Sequence, residues 1–162
     1  MIDWRERLRL QPMTPEEYDD YRGRSQQEYA QQIADSGQVD LTTALEQSAA
    51  DFLRLLPDGL ASPGMHLWTA MSVDTDEAVG LGWLELRQRP SGVSAWIYDI
   101  QVDASHQGQG LGRALMDALH DAARELGATS MALNVFGHNT AAISLYDSLG
   151  YSVTAQQMKR EL

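Results

Sequence analysis

The chain has 162 residues, no cysteine, and 12 basic against 23 acidic side chains, for a formal net charge of -11 at pH 7. A chain of this length can bury a substantial core without a disulfide or a metal. The lack of cysteine excludes a disulfide framework, thiolate metal ligands and a thiol nucleophile. The acidic balance disfavours nucleic-acid binding, which requires a basic face; it serves either solubility or the attraction of a cationic partner such as an amine.

Targeting signals are not evident in the sequence. No apolar run reaches the roughly 18 residues that a membrane-spanning helix requires, and residues 1–7 are charged rather than apolar. We therefore expect a cytoplasmic protein with no membrane partner, present as a monomer or a homodimer. We expect a single domain over residues 1–162, with no metal site.

The N-terminal part predicts one strand and two helices. Residues 8–13 alternate between apolar and polar and predict a short strand. The sequence Thr14-Pro15-Glu16-Glu17 predicts a helix start, because threonine caps, proline suits the first turn and Glu17 completes a capping box. This helix extends to about Ser36, with tyrosines and an isoleucine in its apolar stripe, namely Tyr18, Tyr21, Tyr29 and Ile33. A second amphipathic helix is expected over about 42–56.

Three strands are predicted next, over about 65–72, 78–88 and 93–103. The connections between them are only a few residues long. Short connections join antiparallel strands, so these three strands should form two consecutive hairpins.

The C-terminal part alternates helices and strands. A helix is predicted over 110–126, a strand over 130–135, a short helix over 140–149 and a last strand over 151–158. The strand–helix–strand order predicts that the strands before and after the long helix are parallel neighbours with a right-handed crossover. The fold class is therefore α/β, with a mixed central sheet of about six to seven strands and helices on both faces.

The segment between the third hairpin strand and the long helix carries Gly108, Gly110 and Gly112 at alternate positions. A strand that leads through a glycine loop into a helix N-terminus can hold a phosphate, because small residues let the ligand approach free N–H groups and the helix dipole favours negative charge. The dinucleotide-binding fingerprint requires a glycine at 113, where Arg113 stands, and no lysine follows as in the Walker pattern. A nucleotide-dependent oxidoreductase is therefore the weaker alternative.

The pattern Gln107-x-x-Gly110-x-Gly112 resembles the acyl-CoA pyrophosphate loop of the GNAT N-acyltransferase superfamily, Gln/Arg-x-x-Gly-x-Gly/Ala. The resemblance continues in Asn139-x-x-Ala142-x-x-Leu145-Tyr146 and in Leu149-Gly150-Tyr151, and it is best over residues 65–158. It implies the GNAT-like fold, in which two central parallel strands splay apart. The gap between these strands, here 94–103 and 130–135, receives the pantetheine arm of the cofactor.

The resemblance also assigns cofactor-binding roles. The pyrophosphate would lie on the loop and the helix start, formed by Gln107, Gly108, Gln109, Gly110, Leu111, Gly112 and Arg113. The backbone of Ile100, Gln101 and Val102 would bond the pantetheine amides, and a strand N–H near them would polarise the thioester carbonyl. Asn139 would bond the cofactor arm and, since asparagine caps well, begin a helix.

The catalytic roles follow from the same resemblance. Tyr146 would protonate the coenzyme A thiolate that leaves when a thioester acylates an amine. The proton acceptor for the amine is open between Asp99, Glu85, His138 and a water chain with no single base. Asp99 lies on the third hairpin strand, where alternation places it on one face with Ile97 and Gln101.

The sequence thus predicts an acetyl-CoA-dependent N-acetyltransferase that moves the acetyl group directly to an amine in a ternary complex. The acceptor is open between an amine-bearing small molecule, a peptide and a protein. A longer acyl donor is also open. The alternative from another class is a non-catalytic acyl-CoA-binding or sensor module on the same fold.

Overall fold

The computed structural model describes residues 3–162. The chain divides into two compact units, Met1–Ala132 and Leu133–Leu162. The strands are β1 (Leu8–Pro12), β2 (Met65–Ser72), β3 (Ala78–Arg89), β4 (Gly92–Val102) and β5 (Ala128–Leu133), and the helices are α1 (Pro15–Asp35), α2 (Leu41–Leu55), α3 (Leu111–Glu125) and α4 (Thr140–Ser148). Short 3₁₀ turns precede β2 and α3, at Gly59–Ala61 and Ala104–His106.

The strands form one mixed sheet in the order β1-β2-β3-β4-β5. The two predicted hairpins are confirmed, because β2, β3 and β4 are successive antiparallel neighbours. β4 and β5, which α3 connects, are also neighbours. The hydroxyl of Thr129 at the start of β5 donates to the carbonyl of Val93 at the start of β4, over 3.3 Å.

The predicted six to seven strands are not formed, since the described residues contain five. The expected last strand over 151–158 is wrong: beyond Ser148 the described chain has no helix or strand. Its alternation is weak, because the apolar positions Tyr151, Val153 and Ala155 give way to Gln157. Val153 and Met158 are exposed, so the segment lacks the buried side-chain row that stabilises a strand.

The start of α1 is capped as the sequence predicts. Thr14 Oγ1 accepts from the Glu17 N–H at 3.2 Å, and Glu17 Oε2 accepts from the Thr14 N–H at 2.8 Å. The same Glu17 oxygen also accepts from the Thr69 hydroxyl on β2, at 2.9 Å. The capping box therefore both begins α1 and attaches it to the sheet.

The sheet carries an apolar core on each face. On the α3 face, side chains of the sheet pack against Leu111, Leu115 and Leu119 of α3. On the α1/α2 face, the core is aromatic and includes Tyr21 of α1 and Phe52 of α2. The prediction of helices on both faces is therefore confirmed.

Two glycines of β3 let neighbouring backbone and side chains approach closely. A Cβ on Gly80 would lie 2.4 Å from the carbonyl oxygen of Gln101 on β4, and one on Gly82 would lie 2.8 Å from Leu119 Cδ2. Neither distance is compatible with a side chain unless its surroundings move. The absence of a Cβ at these positions therefore fixes how closely β4 and α3 approach β3.

Candidate active site

A bulge in β4 determines which way its polar side chains point. Trp83 of β3 pairs with Asp99, but the next residue, Leu84, pairs with Ile97, so Tyr98 is an extra residue in β4. Opposed residues in an antiparallel pair share a face, and Leu84 belongs to the α3-face core while Trp83 belongs to the α1/α2-face core. The prediction that Asp99 shares a face with Ile97 is therefore wrong, since simple alternation does not continue through a bulge.

Asp99 and Gln101 do share the α1/α2 face. Gln101 pairs with Leu81, another member of the α1/α2-face core, and its Nε2 donates to Asp99 Oδ2 at 2.8 Å. Tyr21 of α1 donates its hydroxyl to the same oxygen at 2.7 Å. The side chains of Ile100 and Val102 pack on the opposite, α3-face core.

Burial raises the pKa of the Asp99 carboxyl, while hydrogen bonds from Tyr21, Gln101 and the backbone of Ile100 act in the opposite direction. Burial and the neighbouring Asp99 charge also raise the pKa of Tyr21. Tyr21 therefore keeps its proton and acts as a donor. A carboxylate whose pKa is raised towards neutrality is a better proton acceptor than an exposed aspartate.

Glu85 lies in a separate polar cluster on the α1/α2 face. Its Oε2 accepts from Arg87 Nε at 2.8 Å and from the Tyr98 hydroxyl at 2.9 Å. The Arg87 guanidinium lies 4.8 Å from the centroid of the Trp96 ring, and its Nη2 donates to Tyr98 at 3.1 Å. The Glu85 carboxylate is therefore held in an ion pair with Arg87 and in a hydrogen bond from Tyr98.

The glycine loop has the backbone conformation that a phosphate site requires. Gly108 and Gly110 have φ values of +74° and +82°, and a Cβ at either position would meet nothing within 4 Å. Glycine is needed here for the left-handed backbone rather than for lack of space. The volume above the loop is open to a ligand.

The N-terminus of α3 presents unused backbone donors. The first intrahelical bond joins the Ala114 N–H to the Gly110 carbonyl at 3.2 Å, so the N–H groups of Leu111 and Gly112 precede the hydrogen-bonded part of the helix. Gly110 is the N-cap, and no side chain of the described residues caps this end. The positive end of the helix dipole therefore faces the loop without a competing side chain.

The two glutamines of the loop brace its backbone. Gln107 Nε2 donates to the Val102 carbonyl at 3.3 Å, and Gln109 Nε2 donates to the Ser105 carbonyl at 3.1 Å. These contacts attach the loop to the end of β4 and to the 3₁₀ turn. They give both glutamines a structural role that the sequence motif does not reveal.

A cleft of about 290 Å³ lies beside the loop and the start of α3. The loop side consists of Gln109, Gly110, Arg113 and Ala114, and the opposite side consists of Asp3, Trp4 and Arg5. Trp4 is 4% exposed and packs edge-on against His106, with ring centroids 5.6 Å apart. Sequence reasoning misses this wall, and the one signal for it is a tryptophan among charged residues.

In the second unit, Asn139 begins α4. Its Oδ1 accepts from the Ala142 N–H at 3.2 Å, which confirms the predicted capping role. The ring of Tyr146 lies 5.7 Å from that of Tyr151, and the Tyr151 N–H donates to the Tyr146 carbonyl at 3.0 Å. Burial, with the neighbouring Tyr146, raises the pKa of Tyr151 to about 12. His138 stacks on Phe136 at 5.7 Å.

Residues 3–162 contain neither a candidate metal cluster nor a candidate membrane-spanning helix. In that part of the chain, no group of three or more histidine, cysteine, aspartate or glutamate side chains could hold a metal ion. None of its helices combines the length and the apolar character needed to cross a bilayer.

The loop, sheet and helix order define an acetyltransferase domain. The model of the Acetyltransferase (GNAT) family matches residues 11–151, and the chain belongs to this family. It is 34% identical to the uncharacterized N-acetyltransferase YdgE of Bacillus subtilis (strain 168), over 94% of this chain and 97% of that protein. It is similar to the crystal structure of YycN from Bacillus subtilis, with a TM-score of 0.84 and 32% identity over 96% of this chain and 98% of that one.

A third relative has a named substrate. The chain is 34% identical to the L-methionine sulfoximine/L-methionine sulfone acetyltransferase of Salmonella typhimurium (strain LT2), over 56% of this chain and 67% of that protein. The match of the family model over residues 11–151 confirms the predicted membership of the GNAT family.

Proposed function

We propose that the chain is an N-acetyltransferase that moves the acetyl group of acetyl-CoA directly to an amine. The observation that carries this proposal is the open glycine loop at the uncapped N-terminus of α3, directly after the strand that holds Asp99. An anion-binding helix start that follows a strand with a proton acceptor suits a reaction in which a diphosphate-bearing thioester meets an amine. The names of the relatives support N-acetyl transfer.

The pyrophosphate of acetyl-CoA would accept hydrogen bonds from the backbone of the loop between Gln107 and Arg113. The N–H groups of Leu111 and Gly112 are the donors that α3 itself leaves unused. Ile100, Gln101 and Val102 would contribute backbone groups to the pantetheine arm. The family match extends through residue 151, which supports keeping Asn139 in the cofactor-binding set and treating residues 1–162 as one catalytic domain.

The transfer needs one proton acceptor and one proton donor. The acceptor ammonium would give a proton to Asp99, directly or through a water, and the neutral nitrogen would form a bond to the thioester carbonyl carbon. The C–S bond then breaks and the sulfur takes the Tyr146 proton, which yields coenzyme A. The second amine proton passes to solvent, from which the Tyr146 phenolate regains its own.

Asp99 is preferred over Glu85 as the base. Asp99 is partly buried and this burial raises its pKa, whereas Glu85 is held by the Arg87 guanidinium and the Tyr98 hydroxyl. A proton acceptor works best when its pKa approaches the working pH. Glu85 Oε2 is instead already engaged, by Arg87 Nε at 2.8 Å and by the Tyr98 hydroxyl at 2.9 Å.

The acceptor itself is proposed as an amine-bearing small molecule, peptide or protein. The net charge of -11 favours the approach of a cationic group. Methionine sulfone is a rational first compound, because a relative that shares 34% identity is named for it.

The test is release of free thiol from acetyl-CoA in the presence of an amine library, with the acetylated product identified by mass spectrometry. We expect Tyr146→Phe to lose about 10²-fold or more in turnover if the phenol is the acid. Tyr151→Phe is the matched control, because it removes a hydroxyl from the adjacent ring. Acetyl-CoA binding without turnover on any amine would favour the non-catalytic binding module instead.

A further inference from the structure

The side chain of Tyr21 on α1 forms a hydrogen bond to Asp99 on β4. It is 2% exposed, and its hydroxyl donates to Asp99 Oδ2 over 2.7 Å, across 78 residues of sequence. Helical periodicity places Tyr21 in an apolar stripe, where its hydroxyl has no assigned role. Loss of this bond from a buried phenol would leave the partly buried Asp99 carboxylate with one hydrogen bond fewer.

The bulge at Tyr98 makes this contact possible. It turns Asp99 towards α1, whereas unbroken alternation from Ile97 would turn it towards α3. Both side-chain bonds to Asp99, from Tyr21 and from Gln101, end on Oδ2. Neither of these side-chain bonds ends on Oδ1, and together they fix the orientation of the carboxylate through Oδ2.

We propose that Tyr21 is a positioning residue, which holds the Asp99 carboxylate from α1 so that Oδ1 receives the amine proton. This inference rests on the proposed function, in which Asp99 is the base. It assigns α1 a part in catalysis that the cofactor motifs do not mention. Tyr21 need not touch either substrate, since it acts through the orientation and the proton affinity of Asp99.

The other groups around Asp99 determine the sign of the effect. Glu28 of α1 adds negative charge and raises the pKa of Asp99, while Gln101 and the Ile100 backbone lower it. Trp83, the opposed residue on β3, brings no charge. Near Tyr21 itself lie Ser25 and Arg24 of α1. The Tyr21 hydrogen bond lowers the pKa of Asp99, whereas burial and the Glu28 charge raise it. Removal of the Tyr21 hydroxyl should therefore raise the pKa of Asp99.

The decisive variant is Tyr21→Phe, which keeps the ring and removes the hydroxyl. We expect the acidic limb of the kcat/KM profile to move upward by about one pH unit, which corresponds to the loss of one hydrogen bond to a charged group. At pH values below the wild-type limb, kcat/KM of the variant should be about tenfold lower than that of the wild type. The assay uses the full chain, acetyl-CoA and the best amine from the thiol-release screen.

A second readout needs no turnover. The Asp99 side-chain carboxyl is labelled with ¹³C and titrated by NMR in the wild type and in Tyr21→Phe, and the midpoint should rise in the variant. Tyr18→Phe is the matched control, because Tyr18 is a second buried tyrosine of α1 whose ring lies against Gly59. It should leave both the midpoint and the acidic limb in place.

Three outcomes separate this inference from the proposed function. If Asp99→Asn is inactive and Tyr21→Phe moves both the limb and the NMR midpoint, the positioning role stands. If Asp99→Asn is inactive but Tyr21→Phe moves neither, the inference about Tyr21 is overturned and the base assignment survives. If Asp99→Asn acetylates at the wild-type rate, the base assignment fails first and the role of Tyr21 falls with it.

Discussion

The two faces of the sheet differ in composition and in how far apart in the sequence the residues that form them lie. The α3 face is apolar, and its buried core consists mainly of leucine and alanine side chains, with Val79 and Trp4, against an amphipathic helix. The α1/α2 face combines an aromatic core with two polar clusters, one around Asp99 and one around Glu85. Local patterning specifies the first face, whereas contacts between distant residues determine the chemistry of the second.

The largest expected effect separates the two polar clusters of the α1/α2 face. Asp99→Asn should lower kcat by about 10²-fold or more, because the amide cannot accept the amine proton. Glu85→Gln should cost only a few-fold, since Glu85 serves as an ion-pair partner of Arg87. Steady-state thiol release at a fixed pH measures both variants, with thermal unfolding to confirm that each folds.

An equal loss in the two carboxylate variants would contradict this division. A larger loss in Glu85→Gln would make Glu85 the base and Asp99 a structural partner of Tyr21. The first result would remove the functional distinction between the two clusters, and the second would reverse it.

The next effect concerns the tight approach of β3 and β4. Gly80→Ala should lower the free energy of unfolding by about 3 kcal/mol, because its Cβ would lie 2.4 Å from the Gln101 carbonyl oxygen. Gly23→Ala in α1 is the control, since a Cβ there meets nothing within 4 Å. That variant should gain about 0.5–1 kcal/mol from helix propensity.

Chemical denaturation of the two alanine variants checks the opposite signs. Destabilisation by Gly23→Ala would mean that α1 packs differently around its middle. A neutral Gly80→Ala would mean that β4 can move away from β3 at little cost.

The smallest effect concerns the capping box that attaches α1 to the sheet. Thr14→Ala should lower the free energy of unfolding by about 1 kcal/mol, because it removes the oxygen that accepts from the Glu17 N–H. Thr14→Ser should retain most of the stability, since serine also caps. Equilibrium urea unfolding resolves the difference, and equal stability of the alanine and serine variants would contradict the cap.

Much of the fold is predictable because its signals are short in sequence. The Thr14 capping box, the two hairpins and the strand–loop–helix around Gly110 each depend on residues within a few positions of one another. The bulge at Tyr98 is not predictable in this way, because it appears only in the pairing of β4 with β3. One extra residue changes the faces that simple alternation assigns to Asp99 and Ile97.

The site was predictable to a similar extent. The loop glycines are recognisable because a left-handed backbone requires them. The Tyr21–Asp99 contact and the wall formed by Trp4 are invisible in the sequence, since each joins residues that are far apart in the chain. The expected last strand failed for the opposite reason, because a weak local alternation suggested a pairing that the described residues do not make.

The central claim is that the Gly110 loop binds the diphosphate of acetyl-CoA, and calorimetric titration with acetyl-CoA tests it most directly. Gly110→Trp and Gly127→Trp form a matched pair, because both glycines have positive φ, both face open space, and they lie at opposite ends of α3. We predict that the wild type and Gly127→Trp bind acetyl-CoA while Gly110→Trp does not. Unchanged binding in Gly110→Trp, or no binding by the wild type, would contradict the account.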